Sequence, residues 1–173
     1  VWFLGLWQTG SAGRQGSLSH PEWLREFQAT LPDFTEADVS GSPFAVTGYT
    51  LHRDFGREAD LLGLKERLKS TGLKLMVDFV PNHTAPDHPW VKQHPEWFYR
   101  RPDGSVRYAE NPPKKYEDTV FLNFYPPDRE AMWAALKGIF TFWISQGVSI
   151  FRIDNPHTRP IRLASAASMT LPV

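Results

Sequence analysis

Apolar and polar positions along the chain form segments that predict alternating strands and helices. Apolar runs cover residues 1–7, 73–80 and 148–154, and a further short strand is predicted at 44–49. Nearly continuous apolar runs fit parallel strands covered on both faces better than half-exposed antiparallel strands. Residues 10–19 are rich in glycine and serine, and we expect them to form a loop.

The segments 20–29, 58–70 and 128–146 have the period of amphipathic helices. The apolar side of the longest segment consists of Met132, Leu136, Ile139, Phe140 and Trp143. Gly72 and Gly147 stand where two of these helices are expected to end. Strands that alternate with helices predict an α/β fold with a parallel sheet, and both an open doubly wound sheet and a (β/α) barrel fit this order.

Composition and charge exclude several kinds of function. The 173 residues are 41% hydrophobic and carry 19 basic and 19 acidic side chains, so no excess of positive charge favours nucleic acid or an anionic membrane. The absence of cysteine excludes disulfides and cysteine-based metal sites, and favours a cytoplasmic location. No apolar run reaches the length of about 18 residues that a membrane-spanning helix needs. The chain begins at Val1 without a signal peptide and ends in a small, polar tail, 161–173, which is the pattern of a fragment.

Charged residues at the ends of the predicted buried strands are the first candidates for chemistry. Asp78 lies near the end of one strand and Asp154 near the end of another, and a buried charge must be paired or used. Arg152 and Asp154 are two positions apart, so they project to the same side of their strand. A guanidinium beside a carboxylate keeps it ionised and fixes its orientation, as a nucleophile toward an anomeric carbon requires. A structural ion pair is the alternative interpretation.

A second cluster follows the strand at 73–80. Asp78, Asn82 and His83 place a carboxylate, an amide and an imidazole within six residues, at the strand edge where α/β proteins bind ligands. His88 and His94 are each followed by proline and lack the spacing of metal ligands, so we expect them to be surface residues.

Four segments in order resemble the α-amylase superfamily, glycoside hydrolase family 13. Residues 78–83 resemble its first signature and 151–154 its second; 41–56 resemble the region around its second strand, and 119–123 a further signature. The resemblance implies an incomplete (β/α)8 TIM barrel of about the first four β/α units over residues 1–160. It also implies a long insertion at 84–127, after the third strand.

The resemblance assigns roles in a retaining mechanism on α-linked glucans. Asp154 would be the nucleophile, Arg152 would hold it, and His83 would bind the sugar before the scissile bond. Asp78 would support the site, and Phe44 matches an aromatic platform for sugar stacking, with an ordinary core phenylalanine as the alternative.

The resemblance implies no cofactor. Asn82 matches a calcium ligand of the family and is a calcium candidate, but the second ligand position is Phe121, so no metal is expected. The family's acid/base glutamate comes from later strands and is absent here. We therefore expect the chain alone to be a catalytically inactive truncated remnant.

A narrower resemblance, to the maltose-1-phosphate maltosyltransferase branch of the family, covers 94–98, 101–104, 110–116 and 152–158. It implies that the donor phosphate is bound by Asn111, Lys114, Tyr116, Arg152 and Asn155, which offer suitable hydrogen-bond donors. The partners implied are maltose 1-phosphate and an α-1,4-glucan, and a homodimer of the full-length parent is a further expectation. Residues 78–83 keep the ordinary amylase form, which favours the alternative of an α-amylase or α-glucosidase.

Overall fold

Short strands and helices alternate through residues 1–155, the part of the chain that the computed structural model describes. The strands are β1 (Trp2–Phe3), β2 (Trp7–Thr9), β3 (Val46–Leu51), β4 (Met76–Phe79), β5 (His83–Thr84), β6 (Tyr108–Asn111), β7 (Lys114–Phe121) and β8 (Ile150–Ile153). The α-helices are α1 (Ser11–Leu18), α2 (Pro21–Thr30), α3 (Glu58–Ser70), α4 (Trp90–Gln93) and α5 (Arg129–Ser145). The predicted tail at 161–173 lies outside the described residues.

A parallel sheet in the order β1-β4-β8 positions the residues singled out above. β4 pairs in parallel with both neighbours, and its Asp78 lies opposite Arg152 of β8. The predicted parallel neighbours at 73–80 and 148–154 are therefore confirmed, although both strands are shorter. Helices α3 and α5 also confirm the predicted segments, and Gly72 and Gly147 follow them with positive φ angles of 74° and 80°.

Within the described residues, the first four β/α units that the resemblance implies are matched in part, by three parallel strands. The apolar run at 1–7 is divided by Gly5, whose φ of 75° turns the chain between β1 and β2. The strand predicted at 44–49 forms as β3, but it pairs antiparallel with β2 in a separate two-stranded sheet. Among the described strands of the parallel sheet, β4 is the one that precedes the insertion.

The prediction of a loop at 10–19 is wrong, because most of this segment forms helix α1. A distant carboxylate supplies what the local sequence lacks: Asp87 accepts hydrogen bonds from the backbone of Ala12 at 3.2 Å and from the Ser11 hydroxyl at 3.4 Å. Such bonds satisfy amide groups that a helix start otherwise leaves unpaired.

The segment between β4 and α5 forms an antiparallel sheet in the order β5-β7-β6. β5 begins at His83, four residues after β4 ends, and pairs with the end of β7. Tyr108 and Ala109 of β6 pair with Val120 and Tyr116 of β7, so residues 117–119 form a bulge in β7. A bulge redirects side chains, and this one faces the site described below.

Two groups of buried side chains form the core. One group contains Trp7, Val46, Leu61, Val77 and Trp143, and the other contains Phe79, Trp97, Leu122, Met132 and Leu136. Partly buried side chains of Tyr49, Ile139 and Phe151 pack against both groups. Helix α5 therefore fastens the antiparallel sheet of the insertion to the parallel sheet.

The histidines expected at the surface differ from that expectation. His88 is 6% exposed, and its ring packs against Trp90 while accepting a hydrogen bond from the Trp90 backbone amide. His94 is half-buried and stacks on Trp97 with 3.9 Å between ring centroids.

Among the described helices, none combines the length and the apolar character needed to cross a membrane.

Shortening Leu136, which is 2% exposed, should destabilise the fold. We expect Leu136→Ala to lower the free energy of unfolding by about 2–5 kcal/mol, because a buried cavity remains. Urea denaturation measures the change. Leu4 is 50% exposed, so Leu4→Ala is the matched control and should change stability by less than about 0.5 kcal/mol. Equal effects of the two substitutions would contradict the assigned core.

Stability should fall in mild acid because of His88. Burial lowers the pKa of His88 to about 4, against 6.5 for a free histidine. Between these two pKa values the unfolded chain binds a proton that the folded chain does not. The contribution of neutral His88 to the free energy of unfolding is therefore complete above pH 6.5 and is lost as the pH falls toward 4. We expect His88→Gln to flatten the pH dependence of unfolding in this window, and an NMR titration of His88 near pH 6.5 would contradict the assignment.

Candidate active site

The carboxylate of Asp78 lies at the centre of the parallel sheet and is held from both sides. Its side chain is 3% exposed, and one oxygen forms an ion pair with Nη1 of Arg152 at 3.0 Å. The Trp2 indole donates to the other oxygen at 3.2 Å, and the Trp7 indole donates to the backbone carbonyl at 2.7 Å. Groups on β1, β2 and β8 thus converge on one residue of β4.

Arg152 also reaches Asp154, as the two-residue spacing predicts. Its Nη2 lies 3.4 Å from Oδ1 of Asp154, a longer contact than the one it makes with Asp78. The second oxygen of Asp154 accepts a hydrogen bond from the Asn155 amide at 3.0 Å, and the Asp154 backbone amide donates to Phe79 at 2.9 Å. The Asp154 carboxylate is therefore fixed at both oxygens and at its backbone.

A cavity of about 320 Å³ opens beside Asp154. Its lining combines predicted and unpredicted residues, namely Ser42, Phe44, Asn82, His83, Ala109, Glu110, Tyr116, Asp118, Thr119, Phe121, Asp154 and Asn155. The volume lies at the lower end of the range of about 300–1,000 Å³ that small-molecule sites occupy. Parallel strands, the loop before β3 and the antiparallel sheet all contribute to one hollow.

Phe44 has two roles in this wall. It is partly buried and packs against the core, and it also lines the cavity. The Arg152 guanidinium lies 5.4 Å from the centre of the Phe44 ring and 5.1 Å from that of Trp2. Aromatic rings within about 6 Å stabilise a cation and restrict its position.

Tyr49 of β3 fixes the backbone at the end of β4. Its hydroxyl donates to the Val80 carbonyl and accepts from the Val80 amide, both at 3.0 Å. Burial, with the nearby charges of Asp154 and Asp78, raises the pKa of Tyr49 well above its usual value. The hydroxyl therefore remains a hydrogen-bond donor across the physiological pH range.

Asn82 and His83 follow that fixed backbone into the cavity wall. Both are buried, at 3% and 7% exposure, and Nδ2 of Asn82 lies 3.2 Å from Nδ1 of His83. His83 pairs across the antiparallel sheet with Phe121, the residue in place of the expected second calcium ligand.

The antiparallel sheet brings β7 to the rim of the cavity. Tyr116 is 42% exposed and lines the cavity, whereas Lys114 is exposed and is not among the lining residues. Lys114 and Tyr116 are two positions apart in the regularly paired part of β7, so they share one face of the strand. Asn111 ends β6 directly before the turn to β7.

Two further carboxylates in the cavity wall have opposite environments. Burial raises the pKa of Asp118, and a hydrogen bond from Ser42 opposes this shift. Arg107 donates a hydrogen bond to Glu110 and forms an ion pair with it, and this hydrogen bond lowers the pKa of Glu110. The negative charge of Glu110 is thus compensated locally.

The sequence-based candidates therefore occupy three places. Phe44, His83, Tyr116, Asp154 and Asn155 surround the cavity, Asp78 and Arg152 lie behind Asp154, and Lys114 and Asn111 lie on the antiparallel sheet. Sequence reasoning missed Trp2, Tyr49 and Asp118. Asp118 directly precedes the segment 119–123, and it lines the cavity from the bulge in β7.

A fixed carboxylate beside a cavity, where parallel strands end, defines an α/β protein with its site at the strand ends. The family model of the alpha amylase catalytic domain matches residues 44–160. Because this match covers more than half of the 173 residues, the chain belongs to the α-amylase family.

Individual relatives agree with this assignment. The alpha-1,4-glucan:maltose-1-phosphate maltosyltransferase of Rhodospirillum rubrum is 47% identical over 129 residues, which cover 72% of this chain and 19% of the relative. The enzyme of the same name from Picrophilus torridus is 47% identical over 126 residues, covering 70% and 20%. The chain thus spans about a fifth of the length of these relatives.

The fold matches that of a solved amylase. The crystal structure of an α-amylase from Lactobacillus plantarum superimposes with a TM-score of 0.71 at 26% identity, over 96% of this chain and 33% of that one. The fold class predicted from the sequence is confirmed as a partial α/β structure of this kind.

The pair of Asp78 and Arg152 should be energetically coupled. In a double-mutant cycle with Asp78→Asn and Arg152→Met, we expect a coupling energy of about 1–3 kcal/mol, because Asp78 is buried. The exposed pair of Arg129 and Glu130, 3.6 Å apart, is the control and should give less than about 0.5 kcal/mol. Urea denaturation of the variants measures both coupling energies. Equal coupling in the two cycles would contradict a stabilising role of the pair of Asp78 and Arg152.

Proposed function

We propose that this chain forms part of a retaining (β/α)8 enzyme that transfers maltosyl units from maltose 1-phosphate to an α-1,4-glucan. The observation that carries the proposal is the meeting of Asp154 with Tyr116 and Asn155 in one cavity. A nucleophile position and two residues assigned to phosphate binding are brought together from β7 and from the end of β8. The names of the relatives support the same reaction.

Asp154 is the proposed nucleophile. One of its oxygens attacks the anomeric carbon, the bond from that carbon to the phosphate oxygen breaks, and phosphate leaves with the electron pair. An acceptor hydroxyl then attacks the same carbon, loses its proton to a general base and releases the carboxylate. The contacts from Arg152 and Asn155 favour this role, since they hold the carboxylate in one orientation before substrate binds.

Phosphate binding is assigned to the rim of the antiparallel sheet. Lys114 and Tyr116 present an ammonium and a hydroxyl on one face of β7, and Asn155 lies beside Asp154. Arg152 adds a cation behind the nucleophile, and Asn111 precedes the turn. Glu110 is compensated by Arg107, which limits its repulsion of a phosphate.

His83, Asp78 and Phe44 complete the proposal. His83 would bind the sugar next to the scissile bond, Asp78 would position Arg152, and Phe44 would stack on a sugar ring. Asn82 has no assigned calcium, since its expected second ligand position is Phe121. A cytoplasmic location, a homodimer of the complete protein and inactivity of the chain alone stay predictions.

Hydrolysis of α-1,4-glucans is the second candidate function. The ordinary amylase form of residues 78–83 favours it, and so does the match in fold to a solved α-amylase. The two functions share Asp154 and differ in the leaving group and in the acceptor, which is water in hydrolysis.

Phosphate release separates the two functions. A protein that contains this chain and a complete barrel should release inorganic phosphate from maltose 1-phosphate only when glycogen is present, and should extend the glycogen. Release of reducing sugar from soluble starch without any phosphate release would favour the hydrolase instead.

Lys114→Gln in that protein should raise the KM for maltose 1-phosphate about tenfold or more, because a charge-assisted hydrogen bond contributes about 1.5–3 kcal/mol. Lys115→Gln is the matched control on the opposite face of β7, and its KM should change less than about twofold. Initial rates at varied donor concentration measure both. Equal effects of the two substitutions would contradict phosphate binding by Lys114.

A further inference from the structure

A cluster of three metal-ligand side chains lies outside the cavity. His94, Glu96 and Asp128 place one ligand atom each within 4.8 Å of one another. His94 and Glu96 flank Pro95, where a short 3₁₀ helix at Pro95–Trp97 begins, and Asp128 precedes α5. Residues 94–98 resemble the maltosyltransferase branch of the family, but none of them lines the cavity.

Asp128 has an unusual position for an aspartate at a helix start. It is the N-cap residue of α5 but makes no side-chain capping hydrogen bond. Its Oδ2 accepts from the Trp97 indole at 2.9 Å, while Oδ1 is buried and has no hydrogen-bond partner among the described residues. An aspartate at this position ordinarily caps the helix. Here the hydrogen bond from Trp97 holds the carboxylate away from the backbone amides, and its second oxygen stays buried without a partner among the described residues.

Trp97 restricts the orientation of the His94 ring and of the Asp128 carboxylate. The His94 ring stacks on Trp97 with 7° between the ring planes, and its Nδ1 lies 3.3 Å from Oε1 of Glu96. Trp97 is 2% exposed, so one immobile indole orients both the imidazole and the Asp128 carboxylate. Groups behind metal ligands commonly have this orienting role.

We propose that His94, Glu96 and Asp128 bind a divalent transition-metal ion of the Zn²⁺ type. One imidazole nitrogen and two carboxylate oxygens form a mixed donor set that suits zinc, with water as the fourth ligand. Ligand atoms about 2.1 Å from one zinc lie at most about 4.2 Å apart, so a small movement completes the site. The half-exposed side chain of Glu96 has the freedom to make it.

The two carboxylates also supply the charge that the ion needs. Together they offer two negative charges, which balance a divalent cation and outweigh the positive end of the α5 dipole at this position. The bound ion would join the loop after α4 to the start of α5. It would therefore stabilise the packing of this segment against the helix that covers the core.

Zinc titration of the purified chain after chelator treatment tests the proposal. We expect one equivalent of Zn²⁺ with micromolar or tighter affinity, and a rise in Tm when zinc is added. His94→Gln and Asp128→Asn should each weaken zinc binding at least tenfold and abolish the rise in Tm. Trp97→Phe keeps the aromatic ring but loses the indole donor, so it should weaken binding about 10–100-fold.

His20→Gln is the matched control, because His20 is exposed and lies outside the cluster; it should bind zinc as the unsubstituted chain does. Co²⁺ gives a second readout, since a low-symmetry site with a nitrogen ligand produces visible absorption that His94→Gln should remove. If Trp97→Phe fails to fold, His94→Gln still tests the proposal, because His94 is partly exposed and its substitution disturbs the core less. Unchanged zinc affinity in both His94→Gln and Asp128→Asn would overturn the proposal.

Discussion

The burial of one carboxylate, that of Asp78, is the constraint on which the rest of the structure depends. An uncompensated buried charge costs several kcal/mol, so this residue requires partners from other strands. Arg152 and the indole of Trp2 supply them from β8 and β1, and Trp7 binds the carbonyl of the same residue. Arg152 thereby links the strand order to the site geometry, because one guanidinium contacts both Asp78 on the neighbouring strand and Asp154.

The parts that sequence reasoning predicted best are those decided by local pattern or by strand alternation. Helices α3 and α5 have a regular apolar period and a terminal glycine, so their limits were predictable within one or two residues. Arg152 and Asp154 could be placed on the same side of a strand from their spacing alone. The position of His83 just after a buried strand also marked it as a candidate, whereas Tyr116 was added only by the family resemblance.

The parts that failed are decided by turns, strand pairing and side-chain contacts that leave no periodic signal in the sequence. Helix α1 depends on Asp87, and β3 pairs with β2 because Gly5 turns the first apolar run. The burial of His88 depends on Trp90 and its surroundings, and Asp118 reaches the cavity through an irregularity in strand pairing. None of these has a periodic signal, and local sequence therefore could not distinguish them from ordinary loop and surface residues.

Strand β7 has one buried end and one exposed end, with the bulge between them. Residues 114–117 are exposed, whereas Thr119 and Val120 are buried beside β5. Substitutions at the exposed end have little effect on stability, while those at the anchored end disturb the core. Natural variation at the exposed end can consequently alter the rim of the cavity without disturbing the contacts that hold Asp154. A lineage with this architecture can change the ligand that the proposed site prefers by small mutational steps and keep the proposed reaction centre intact.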